Sequence, residues 1–241
     1  MQQIVQLAGV SKTYGQGDVL VHALQNVTLG IAAGSFAAGA GPSGSGKTTL
    51  LNLMSGLDSV TSGNVFLEGR DITALGAAAL SHLRLTRIGF VFQAYNLLPV
   101  LTAYENAEYV LMLQGVRAAE RRKRVMSMLD RVGLAALADR YPRELSGGQQ
   151  QRVAIARAIV SEPALVLADE PTANVDSTTG TALLDLMHEL NRERGVTFLF
   201  SSHDEKVLKR ATRLVVLEDG SVTSDTCRDD SPVTVLLNGR S

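Results

Sequence analysis

The chain has 241 residues, enough for one large domain or for a core carrying a smaller subdomain, and ample to bury a hydrophobic core. Its 23 Lys and Arg against 24 Asp and Glu leave a formal charge of −1, which argues against a basic nucleic-acid-binding coat and against a strongly acidic disordered chain. Cys227 is the single cysteine, so neither an intrachain disulfide nor a cysteine zinc cluster is available.

The opening MQQIVQLAGV lacks the basic stretch and apolar core of a signal peptide. No apolar run approaches the roughly 18 residues needed to cross a bilayer. The expectation is a soluble protein of a reducing compartment, most simply the cytoplasm.

Short apolar runs at 4–8, 19–27 and 35–40 read as strands joined by turns. The third, FAAGA at its end, is poor in β-branched residues. A helix is expected over 47–55, stopped by Gly56. Strands follow at 64–68 and 88–92, the second expected to be fully buried. From about Gln93 to Arg143 the texture turns helical. Thr102 to Glu105 fits a capping box, and Val110, Leu111 and Leu113, then Val125, Met128, Leu129 and Val132, mark amphipathic stripes. The run RAAERRKR, Arg117 to Arg124, reads as a solvated helix face, with acidic lipid or RNA as the alternative partner. Strands return at 164–168, 196–202 and 214–217, around a helix over 179–194 carrying Leu183, Leu186, Met187 and Leu190. Alternating strands and helices imply an α/β sheet core. The tail after Gly220 is short and polar. His22, His82 and His188 are expected to be structural.

Gly41-Pro42-Ser43-Gly44-Ser45-Gly46-Lys47-Thr48 fits the P-loop pattern GxxxxGK[ST]. The glycines let the backbone curl so that several N–H groups face one concavity, and the helix N-terminus behind it favours a polyphosphate. Lys47 can reach the β- and γ-phosphates, the Thr48 hydroxyl can hold Mg²⁺, and Thr49 adds a hydroxyl nearby. A metal-bound nucleotide also needs a carboxylate. The buried run Ala164 to Ala168 ends in Asp169 and Glu170, which resembles a Walker B element, with Asp169 for Mg²⁺ and Glu170 as general base toward water. Leu145-Ser146-Gly147-Gly148-Gln149 then opens another helix. A capping box accounts for Ser146 and Gln149 but not for the double glycine. Gly147 and Gly148 leave bare N–H groups able to approach an anion.

LSGGQ together with this P-loop and Walker B resembles the nucleotide-binding subunit of ABC transporters, from Tyr14 to about Gly220. The resemblance implies a P-loop NTPase α/β core with an N-terminal antiparallel β portion and an inserted helical subdomain. The core and β portion would take 1–93 and about 144–225, the helical subdomain about 94–143, and a short tail 226–241. It further implies ATP and Mg²⁺ as ligands. A head-to-tail homodimer would sandwich two ATP molecules, the signature of one subunit closing over the P-loop of the other. Tyr14 matches the aromatic that stacks on adenine and Gln93 the Q-loop glutamine that senses Mg²⁺ and the attacking water. Asp176 matches the D-loop aspartate at the dimer seam, and His203 the switch histidine at the γ-phosphate. Ser146 and Gly148 of the partner subunit, with Lys47 and His203, would stabilise charge on that phosphate.

YNLLPVLTAYENAEY from Tyr95, the insert Gly15 to Asp18 and LADEPTAN are similar to the lipoprotein-releasing and macrolide-export ATPases, the LolD and MacB type, with cell-division FtsE nearby. The D-loop reads ANVD and the switch SSHD where that group usually has GNLD and THD. This implies a separate transmembrane permease, peripheral association with the cytoplasmic face of the inner membrane, mechanotransmission rather than a central channel, and no nucleic-acid partner. An FtsE-like regulator of cell-wall enzymes and a conventional importer ATPase are the alternatives. Leu97, Leu98, Pro99, Val100 and Leu101 stand as either a permease-docking surface or packing within the helical subdomain.

Overall fold

The computed structural model describes residues 2–16 and 19–227; Met1, Gly17 and Asp18 of the expected insert, and residues 228–241, with most of the expected tail, lie outside the described residues. In chain order, β1 (Gln3–Gln16), β2 (Val19–Ala32) and β3 (Phe36–Ala40) precede α1 (Lys47–Met54). Then come β4 (Ser62–Leu67), β5 (Arg70–Asp71), α2 (Ala77–Arg87) and β6 (Ile88–Val91). Three helices follow, α3 (Ala103–Leu113), α4 (Ala118–Arg131) and α5 (Gly147–Ile159). The rest alternates as β7 (Leu165–Asp169), α6 (Ser177–Arg194), β8 (Thr197–Ser201), α7 (Glu205–Arg210), β9 (Arg213–Glu218) and β10 (Ser221–Cys227).

Two sheets result. An antiparallel sheet has the order β2-β1-β4-β5, and a second has the order β10-β9-β3-β8-β7-β6, parallel except at its β10 edge. Both faces of the parallel sheet are covered, which is why its strands read as unbroken apolar runs. Alternate residues serve opposite cores. Phe36, Ala38, Val166, Ala168, Phe198 and Phe200 face one with α3 to α7, whereas Ala37, Leu165, Leu167 and Leu199 face the other with α1 and the antiparallel sheet. The small residues of β3 sit at the centre of the sheet, where Phe36 packs 4.6 Å from Phe200. His188 meets the same ring edge-on at 5.2 Å, a packing role.

Several boundaries differ from the sequence reading, each for a physical reason. β1 and β2 run 14 residues each, because register shifts between Leu7 and Val10 and between Val10 and Lys12 break the period-two signal without ending the pairing. The run 88–92 is not fully buried: β6 ends at Val91, and Phe90 is half-buried with its ring stacked on Phe92 at 5.5 Å. Leu113 lies off the apolar stripe and is exposed. α2 went unforeseen because it buries only Leu83 and has no side-chain cap. β10 went unforeseen because it is a polar edge strand, pinned by the Arg213–Asp225 ion pair at 2.7 Å.

The helical stretch follows its local signals. Thr102 and Glu105 form the reciprocal capping box of α3, and Asn106, fully buried, ties the preceding loop by accepting from Leu98 N and donating to the Leu98 and Leu101 carbonyls. Arg122, Lys123 and Arg124 are exposed on α4, while Arg121 pairs with Glu108 at 2.7 Å and Arg124 with Glu120 at 2.6 Å. β6 approaches α5 so closely that a Cβ on Gly89 would collide with the Ala158 carbonyl. Gly89→Ala should therefore destabilise the fold by about 1–3 kcal/mol, read as a lower urea midpoint at unchanged slope.

Candidate nucleotide site

The loop 41–46 joins β3 at the centre of the parallel sheet to α1. Gly41 and Gly46 have φ of +147° and +101°, conformations that L side chains rarely adopt. They also have no room for one, since a Cβ would meet the Leu217 carbonyl at Gly41 and, at 2.5 Å, the Ala23 carbonyl at Gly46. Gly46 is the N-cap of α1 and no side chain caps this helix, so the backbone N–H groups of its first turn remain for an anion. Lys47 bends over the loop and donates to the Gly41 and Pro42 carbonyls at 2.7 and 2.8 Å.

Strand β7 delivers the acids. Thr48 Oγ1 donates to Asp169 Oδ2 at 3.1 Å, across two elements. Glu170 has φ of +45°, a left-handed backbone uncommon for a non-glycine residue and a form of strain that gathers at functional sites. Its N–H donates to the Ser201 carbonyl at 2.9 Å, its Oε2 accepts from Ser202 Oγ at 3.0 Å, and its Oε1 lies 2.6 Å from His203 Nδ1. The Glu170 side chain is mostly buried and His203 mostly exposed, so the carboxylate is anchored inside while the imidazole stands at the rim. Asp204 caps α7 through Lys206 N and accepts from Thr172 Oγ1 at 3.0 Å, fixing the turn that presents His203.

These groups share a cleft of about 610 Å³. Pro42, Ser43, Gly44, Gly46, Lys47, Thr48, Thr49, Gln93, Asp169, Glu170 and His203 all line it. Gly41 and Ser45 do not. They brace the loop from behind, Ser45 O accepting from Gly220 N at 3.2 Å with its own hydroxyl buried. The cleft also takes Val21, His22 and Ala23 from β2 and Ala173 and Ser201 from the core. His22, expected to be structural, thus stands in the cleft, its Nδ1 3.0 Å from Thr13 Oγ1. Only the pairing of β1 with β2 brings it there, which no local pattern signals.

Tyr14 stands at one side, exposed, donating to Asp58 Oδ2 at 2.7 Å. Burial and the Asp58 hydrogen bond hold its phenol pKa above the ordinary value. Lys12 Nζ pairs with Asp58 Oδ1 at 2.7 Å and lies 4.7 Å from the Tyr14 ring centre, and Tyr14 itself does not line the cleft. Ser146, Gly147, Gly148, Gln149 and Asp176 do not line the cleft. Ser146 and Gln149 form the reciprocal capping box of α5. Gly147 and Gly148 also have neighbours within the subunit, because a Cβ would sit 2.8 Å from Tyr95 Oη at Gly147 and would strike Thr179 Cγ2 at Gly148. Asp176 caps α6, accepting from Thr178 N, Thr179 N and Thr179 Oγ1.

The donors present suit Mg²⁺. A hydroxyl and a carboxylate at 3.1 Å are hard oxygen ligands, and among the described residues no cluster of three or more His, Cys, Asp or Glu forms a closed cage. Mg²⁺ is characteristically held in that way, by one or two protein oxygens together with substrate phosphates and water.

The sequence profile of the ABC transporter family matches residues 24–173. The ATP-binding protein YtrE of Bacillus subtilis is 48% identical over 200 residues, covering 83% of this chain and 87% of that protein. The macrolide export ATP-binding/permease protein MacB of Brucella melitensis is 43% identical over 94% of this chain, which spans only 35% of that protein's length. A solved dimer of the ATP-binding cassette MJ0796 in a post-hydrolysis state, bound to ADP and Pi, superposes with a TM-score of 0.86 at 42% identity, covering 92% of this chain and 98% of that one. Agreement of this extent in sequence and in fold leaves one assignment: the chain belongs to the ABC transporter family and is its ATP-binding ATPase domain.

Proposed function

We propose that this chain binds Mg-ATP between two copies of itself and uses its hydrolysis to drive a separate membrane permease. The observation that carries the catalytic part is Glu170, held by Ser202 and His203 on a left-handed backbone beside the P-loop. In this reading Glu170 takes the proton from the attacking water, and Lys47 and His203 stabilise charge on the γ-phosphate. Thr48, Asp169 and Gln93 would hold Mg²⁺, which supplies charge neutralisation when bound. Tyr14, exposed, would stack on the adenine. Ser146, Gly147, Gly148, Gln149 and Asp176 lie outside the cleft of their own subunit, which supports a head-to-tail dimer in which they serve the partner's nucleotide. Loss of one such donor typically costs about 3 kcal/mol of barrier.

A second groove, about 360 Å³, is lined by Leu57, Phe90, Phe92 and Val110 with Arg84 and Arg157. Leu97 packs against the core, whereas Leu98 and Val100, which follow the groove-lining Asn96 in the chain, are exposed, with the Leu98 backbone pinned by Asn106. Both readings of 97–101 thus have support, Leu97 for packing and Leu98 and Val100 for docking. We assign the groove and these two side chains to the permease. No helix of the described residues is long and apolar enough to cross a membrane, which fits peripheral attachment at the cytoplasmic face through that partner. The segment of about 94–143 then acts as an inserted helical subdomain on the core formed by 1–93 and about 144–225. Likeness to MacB favours an export-type, mechanotransmitting permease.

Two substitutions separate these claims. Glu170→Gln should keep ATP binding, slow phosphate release by roughly 10²- to 10⁴-fold, and accumulate an ATP-bound dimer on size exclusion; normal turnover removes Glu170 from the base role. Leu98→Glu should abolish co-purification of the permease while ATP affinity stays within about two-fold. Loss of both together assigns Leu98 to packing instead.

A further inference from the structure

The backbone that follows Gln93 is strained and deliberately held. Tyr95 and Asn96 have φ of +59° and +49°, consecutive left-handed residues of which only Asn tolerates that region readily. One side chain takes both of their carbonyls: Arg157 Nη1 donates to Asn96 O at 2.6 Å and Nη2 to Tyr95 O at 2.9 Å. Arg157 sits on α5, about three turns from Ser146, and is half-buried without an ion pair among the described residues. Its guanidinium fork is therefore committed to backbone.

The Tyr95 ring turns back toward the start of the same helix. Its Oη donates to the Asn174 carbonyl at 3.0 Å and fills the space a Cβ on Gly147 would need. Asn174 in turn donates through Nδ2 to the Gln93 carbonyl at 2.8 Å. The two ends of α5 thus grip one short loop, and that loop carries Gln93 into the nucleotide cleft.

We propose that Tyr95 and Arg157 are positioning residues for ATP hydrolysis, fixing Gln93 relative to the helix that begins with Ser146 to Gln149. The inference rests on the role assigned to Gln93 above. It gives the double glycine of that segment a purpose inside its own subunit: Gly147 makes room for the phenol that completes the link. Movement of either end of α5 would be felt at Gln93 without passing through the nucleotide.

The test uses the full chain. Tyr95→Phe keeps the ring and removes only the Oη bond, and Arg157→Lys keeps the charge but loses the fork that serves two carbonyls. Each should lower kcat about 3- to 10-fold while the Kd for ATP stays within about two-fold and the thermal midpoint holds. Adding Asn96→Gly to Arg157→Lys should restore part of the lost turnover, since glycine adopts the left-handed backbone without strain. Unchanged kcat in Tyr95→Phe overturns the proposal, as does a parallel fall of kcat and ATP affinity. Should Arg157→Lys fail to fold, Tyr95→Phe decides alone. Wild type and Glu170→Gln assayed alongside report on the ATPase chemistry independently: a normal drop in Glu170→Gln with full activity in Tyr95→Phe defeats only the positioning claim.

Discussion

Among the glycines of the described residues, the tightest approach lies where the loop 41–46 passes between two carbonyls, Leu217 O of β9 and Ala23 O of β2. Gly220 is fitted into the same crossing, donating to Ser45 O and accepting from Gln25 N at 2.8 Å. This loop is thereby also the joint between the parallel and antiparallel sheets. Neither sheet can shift without moving the N-terminus of α1, and the backbone N–H groups keep their aim because two hydrophobic cores hold the walls. Preorganisation of donors in this manner is what lets a site act without reorganising around charge.

The acids are held by a different principle. Asp169 ends β7 with its carboxylate on Thr48, so the two motif segments, far apart in sequence, are latched by the Thr48 hydroxyl on both carboxylate oxygens. Glu170 follows on a backbone turned out of the strand, and its side chain is fixed by Ser202 and His203 from the end of β8. Strain at Glu170 is tolerated because neighbouring parallel strands over-determine its position. Adjacent strands of one sheet therefore supply two carboxylates and an imidazole in order.

What could be read from the sequence was what is encoded locally. The P-loop, the capping boxes at Thr102 and Ser146, and the apolar runs of β7 and β8 each depend on residues within one turn or one strand, and all stand where their patterns place them. Gln93 and His203 had no local pattern of their own and came from family resemblance; both line the cleft. The misses share a cause. Bulges hid the length of β1 and β2, α2 buries one side chain, and β10 is polar, so periodicity had little to register. The contact of Tyr95 with Asn174 spans 79 positions and exists only because two residues adopt positive φ, a conformation that Tyr does not advertise. Ser202 shows the same difficulty on a smaller scale, since its hydroxyl matters through Glu170, 32 positions away.

The hydrogen bonds of Lys47 bear on the reading in which it holds a phosphate. Its ammonium is already hydrogen-bonded to the Gly41 and Pro42 carbonyls, so part of its hydration shell has been replaced by neutral oxygens that travel with the loop. Under the proposed function, a phosphate taken up by Lys47 exchanges one set of oxygen acceptors for another of higher charge, without first stripping a fully hydrated cation. Capture in that reading resembles a relay between ligands more than a condensation from bulk water, because a side chain anchored by two carbonyls has less conformational freedom to surrender.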